Sequence, residues 1–86
     1  MKAIVTKYHG PTNSRGARIS ATAEGGNRVV VHYDYGAREP HDEAALALCD
    51  KLGWKGALAE GGMPDGRGNV YVFIPGRERE PASVIR

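Results

Sequence analysis

Five polar side chains in the first third of the chain, Lys7, Asn13, Arg15, Arg18 and Arg28, have the chemistry to hold a polyanion. Four of them lie in the stretch from Thr6 to Ile19, which leaves one strand-like run, crosses a polar loop and enters a second. Within the loop, Thr12, Asn13, Ser14 and Arg15 offer hydroxyl, amide and guanidinium donors, and Gly16 gives close access to the backbone. Those groups suit phosphate oxygens. If the strands alternate as their residues predict, Arg18, Ser20, Thr22, Arg28 and His32 share one sheet face, with Lys7 and Tyr8 at the loop end. A sheet face that mixes cations with stacking side chains can take a groove or a single strand of DNA or RNA.

Other chemistries fail on spacing. His9, His32 and His41 are far apart and Cys49 falls on an apolar helical stripe, so no zinc-like pattern exists and no metal or cofactor is expected. Ser14 lacks the G-x-S-x-G elbow of a hydrolase, and only His9 or His32 could serve as its base. The segment from Gly10 to Gly16 lacks the Gly-Lys-Ser/Thr ending of a phosphate-binding P-loop. Asp42 and Glu43 are adjacent on a helix, so their carboxylates diverge. The expectation is a protein with no catalytic residues and no enzyme activity.

The bulk composition narrows the setting. A chain of 86 residues makes one small domain, and its single cysteine excludes an internal disulfide framework. One free thiol, an N-terminus too soon polar for a signal peptide and no apolar run of about 20 residues together predict a cytoplasmic protein with no membrane partner. Charge is uneven. Residues 1–33 hold five basic side chains and one acidic, whereas residues 34–66 hold three basic and seven acidic. This asymmetry points to two distinct faces.

The elements that must position these residues follow from periodicity. Lys2–Tyr8 reads as a strand ended by Gly10 and Pro11. Ala17–Ala23 alternates, with Ala17, Ile19, Ala21 and Ala23 facing inward, and Arg28–Tyr33 pairs with it through a hairpin. A three-residue turn at Gly25, Gly26 and Asn27 sets Ile19 opposite Tyr33, Ala21 opposite Val31 and Ala23 opposite Val29. It also places Glu24 beside Arg28, Ser20 beside His32 and Arg18 beside Asp34, neutralising part of the basic face. A helix is expected from Pro40 to Leu52, with Asp42 and Glu43 in its first turn, a stripe of Ala45, Leu48, Cys49 and Leu52, and Gly53 as cap. Lys55–Asn69 is glycine-rich and reads as a mobile link. Val70–Ile74 is a fourth strand, placed beside the first and at the sheet edge, where it invites edge-to-edge pairing. The predicted fold is α+β, a single domain over residues 1–75 with order β-β-β-α-β. Its antiparallel sheet has strand order 4-1-2-3 and one helix on one face, and residues 76–86 form an extended or disordered charged tail. The protein is expected to be a monomer or a weak homodimer.

One resemblance joins these segments. Lys2-Ala3-Ile4, Thr6-Lys7-Tyr8, Gly10-Pro11-Thr12-Asn13, Arg15-Gly16-Ala17-Arg18-Ile19, Tyr33-Asp34-Tyr35, Ala47-Leu48, Lys51-Leu52-Gly53-Trp54-Lys55-Gly56 and Tyr71-Val72-Phe73 look like a group of short uncharacterised proteins from bacteria, their phages and other mobile elements. The resemblance implies a free-standing small protein carried by mobile DNA. Proteins of that kind often bind nucleic acid or block a host defence protein, as anti-CRISPR or anti-restriction factors. No functional residue is carried over from it. The second expectation is therefore an inhibitor or adaptor that binds a host protein, with the acidic helix face and Trp54, Tyr71 and Phe73 as its anchors.

Overall fold

Small inward side chains on one strand decide where the helix lies. The computed structural model describes residues 3–14, 16–33, 36, 39–64, 66 and 68–85. Its elements are β1 (Ala3–His9), β2 (Arg18–Ala23), β3 (Arg28–His32), α1 (Pro40–Leu52), β4 (Ala57–Gly62), β5 (Asn69–Phe73) and β6 (Ser83–Val84). Ala21 and Ala23 of β2 are buried, and α1 crosses above them and above the flanking β1 and β3. Ala44, Ala45, Leu48 and Cys49 of the helix pack onto Ile4, Ile19, Leu58 and Tyr71 of the sheet, all fully buried. Enclosing each of the larger apolar side chains contributes about 1.5–3 kcal/mol.

The helix bounds agree with the reading of residues 40–52. Pro40 occupies the first turn, and Asp42 and Glu43 sit at the positive end of the helix dipole. Gly53 takes φ +71°, its N–H donates to Asp50 O, and Trp54 N–H donates to Cys49 O at 2.9 Å. This pair of bonds is a Schellman closure, which requires the left-handed residue.

The sheet is longer than expected and of mixed type. Its order is β3-β2-β1-β5-β4-β6, antiparallel throughout except for the parallel β4–β6 pair. The expected β-β-β-α-β antiparallel arrangement is therefore corrected by two further strands after the helix. One is β4, drawn from the glycine-rich segment expected to be a mobile link. The other is β6, drawn from the charged segment expected to be a tail. Gly56 N–H donates to Glu80 O and Ile85 N–H to Leu58 O, tying the C-terminal segment to β4. The strand expected at the edge, now β5, is internal, flanked by β1 and β4; the edges are β3 and β6. An internal position accounts for its run of apolar residues.

The β2–β3 hairpin also departs from expectation. Its three turn residues are Glu24, Gly25 and Gly26, one position earlier than read. Both glycines have φ +78°, and Asn27 Nδ2 donates to Glu24 O at 3.0 Å, so the glycines fall inside the turn and Asn27 braces it. Ile19 then lies opposite Val31, Ala21 opposite Val29, Ser20 opposite Val30 and Arg18 opposite His32. Every partner shifts by two residues, which leaves each side chain on its expected face. The expected Arg18–Asp34 pair involves Asp34, which lies outside the described residues.

Candidate nucleic-acid interface

The helix covers one face of the sheet and leaves the other open. On that open face β1, β2 and β3 align their side chains in three rows: His9, Arg18 and His32; Lys7, Ser20 and Val30; Val5, Thr22 and Arg28. Rows two residues apart along a strand are separated by about 7 Å. Each row carries one cation, Arg18, Lys7 and Arg28 in turn. Lys7 and Arg28 are exposed and Arg18 is half-buried.

His9 registers the combined field of these groups. Burial lowers its pKa from the ordinary 6.5, and Arg18, Arg28 and Lys7 lower it further by repulsion. Its Nε2 lies 2.9 Å from Ser20 Oγ, and Ser20 is itself buried. The expected neutralisation of Arg28 by Glu24 does not occur: the register sets Arg28 opposite Thr22, and no ion pair joins Glu24 to Arg28. The ion pair found among the described residues, Arg77–Glu80 at 2.6 Å, is in the C-terminal segment.

Arg18 stands out within this face. Its Nη1 is enclosed by protein and has no hydrogen-bond partner among the described residues. A buried guanidinium nitrogen without an acceptor is costly, and an incoming anion that draws it out regains the missing bond. Beside it lies a cleft of about 350 Å³ lined by Ser14, Gly16, Arg18, Val30, Val31 and His32. The second half of the polar loop thus borders the basic face. Asn13 is exposed on the loop without lining that cleft, and Arg15 lies outside the described residues. Of the five expected contacts, the fold brings Lys7, Arg18 and Arg28 onto one face.

A second polar group lies on the opposite side, under the start of α1, and was not anticipated as a cluster. Tyr71 is fully buried and its O–H donates to Asp42 Oδ1 at 2.6 Å. Asn69 Nδ2 donates to Glu60 Oε2 at 2.6 Å, and Asn69 N–H donates to Thr6 Oγ1 at 3.2 Å. Thr6 Oγ1 and His41 Nδ1 are 2.8 Å apart. Burial, with help from the nearby Glu60 and Glu39 carboxylates, pushes the Tyr71 phenol well above its usual range. Glu39, Asp42 and Glu60 each present an oxygen within 4.8 Å of the others, a donor set suited to a hard cation. The bonds that Asp42 and Glu60 accept from Tyr71 and Asn69 already account for where those carboxylates sit. Cys49 is fully buried and burial raises its thiol pKa, so it is a packing residue.

Comparison with known protein families, curated proteins and solved structures returns no match. No helix among the described residues is long and apolar enough to cross a membrane. Of the three aromatic anchors expected for a protein partner, Tyr71 is ruled out by its burial. Trp54 and Phe73 meet edge-to-face with ring centroids 5.8 Å apart, in a cleft of about 660 Å³ that also includes Lys55, Ile74 and Glu78.

Proposed function

We propose that this protein is a non-enzymatic nucleic-acid-binding accessory protein of the kind carried by mobile DNA, using the helix-free face of its sheet. The observation that carries the reading is the placement of Lys7, Arg18 and Arg28 in three successive rows of the helix-free face, with no ion pair to a described acidic residue. Cations spaced along a strand direction follow a phosphate backbone, His9 and His32 supply rings for bases to stack on, and exposed Val5 and Val30 supply apolar contact. Asn13 and Ser14 extend the surface at the loop end, where hydroxyl and amide donors reach phosphate oxygens. Binding of labelled single-stranded DNA, single-stranded RNA and duplex at low salt tests it, with alanine at Lys7, Arg18 and Arg28. Binding by the parent and loss in the triple variant support the reading; no binding of any of the three probes removes it.

The Trp54–Phe73 cleft favours a second reading, an inhibitor or adaptor that seats an apolar side chain of a host protein there. Recovery of a stoichiometric host protein that is lost on Trp54→Ala, with nucleic-acid binding absent, would replace the first reading by this one.

A further inference from the structure

We propose that the free edge of β3 pairs with the β3 edge of a second copy of this chain, joining two sheets into one. This goes beyond the nucleic-acid reading and does not rest on it. The ladder sets which backbone groups are available. Tyr33 N–H donates to Ala17 O and Ala23 N–H donates to Asn27 O, so Val31 and Val29 exchange their bonds with Ile19 and Ala21 of β2. The N–H and C=O groups of the alternate residues Arg28, Val30 and His32 therefore point away from β2, along an edge that no described strand covers. Val30 is 45% exposed, the highest among the large exposed apolar side chains.

One atom on this edge is already engaged, and it selects the register. Lys51 Nζ, at the end of α1, donates to Arg28 O at 2.8 Å. Pairing centred on Val30 would set Arg28 against the second copy's His32 and displace that lysine. Antiparallel pairing centred on Val31 leaves the lysine in place. Val30 then exchanges two backbone bonds with His32 of the second copy, and His32 returns the same two, giving four bonds across a two-fold axis. At the axis Val31 meets its own counterpart in a position where side chains approach closely. On the same face, Val29 meets Tyr33 of the second copy. All three are half-buried apolar side chains that already pack against the core, so pairing completes their burial. The two Arg28 side chains end up about 20 Å apart, too far to repel strongly in salt. These self-complementary features point to a second copy as the occupant, because each apolar position finds an apolar partner from its own sequence. The joined sheet would set two basic faces side by side.

Sedimentation velocity from about 10 µM to about 1 mM tests the pairing, a range suited to a small interface. The weight-average mass is expected to rise from 9.2 kDa toward twice that value. Val30→Pro removes an N–H that β2 does not use, so it is expected to hold the mass at the monomer value. Val30→Lys, which keeps every backbone group, is expected to do the same through like-charge approach at the edge. Val72→Lys, exposed on the open face away from this edge, is expected to leave the mass gain unchanged. Mass that stays at the monomer value throughout overturns the proposal. So does doubling that survives both Val30 variants with unchanged circular dichroism, or doubling abolished instead by Val84→Pro on the opposite edge, which removes an N–H that β4 does not use.

Discussion

The three-row arrangement of cations gives a quantitative expectation for how binding responds to salt. Each phosphate neutralised by a lysine or arginine releases condensed counterions. For a single strand, log K then falls with log salt at about −0.7 per contact. Lys7, Arg18 and Arg28 supply three contacts from the open face, so a slope of about −2 is expected, or an affinity loss near 18-fold between about 50 and 200 mM salt. Removing one cation is expected to reduce the slope by about 0.7, and Arg18→Ala with Arg28→Ala to leave about −0.7, a loss of only about 3-fold over the same range. Arg15 provides the internal comparison. If the loop engages the same strand, the parent slope is about −2.8 and Arg15→Ala restores about −2. Asn13→Ala, which removes no charge, is expected to weaken binding without moving the slope. Fluorescence anisotropy of a labelled oligonucleotide, titrated at four or more salt concentrations for each variant, reads these slopes directly. The reasoning is refuted if the parent binds but its slope is indifferent to Lys7, Arg18 and Arg28. It is refuted equally if Arg77 or Arg79 substitutions carry the change, since the binding surface would then lie in the C-terminal segment.

Three further outcomes probe the fold that positions this face. A Cβ at Gly68 would fall 1.8 Å from Thr6 O of β1, a backbone atom that cannot swing aside, so Gly68→Ala is expected to destabilise by about 3 kcal/mol in urea denaturation. Tyr71→Phe removes the donor to buried Asp42 Oδ1 and is expected to cost about 1–3 kcal/mol by the same assay. Burial lowers the His41 pKa from 6.5, so the unfolded chain binds more protons than the folded one near pH 6. His41 therefore contributes fully above its unfolded pKa, and its contribution is lost as the pH falls from that value through the lower folded pKa. Denaturation midpoints are expected to be lower at about pH 5.5 than at about pH 7.5, with a smaller drop in His41→Gln because the titrating group is gone.

What the sequence made legible depended on whether a signal was local. The helix was readable to its ends because Pro40, the acidic first turn and Gly53 each act within one turn of the boundary. Strand β4 was not, because Ala57, Leu58, Ala59 and Glu60 are helix formers and Gly61 and Gly62 are poor in either state. It is a strand because β5 and β6 flank it. The same holds for β6, two residues long and fixed by its neighbour rather than its own propensity. The network of Thr6, His41, Asp42, Glu60, Asn69 and Tyr71 draws on four elements and has no spacing a sequence could reveal. The basic face is the instructive case. The hairpin turn lies one residue earlier than its sequence predicts, which moves every cross-strand partner by two. A shift of two preserves the face on which each side chain points, so Lys7, Arg18 and Arg28 still share a surface. What it changes is who sits opposite whom. Arg28 lies opposite Thr22 without an ion pair to Glu24, and Arg18 faces His32 where an aspartate was expected. Face assignment thus tolerates an error that pair assignment does not, and the corrected register leaves Arg28 without the carboxylate the sequence implied.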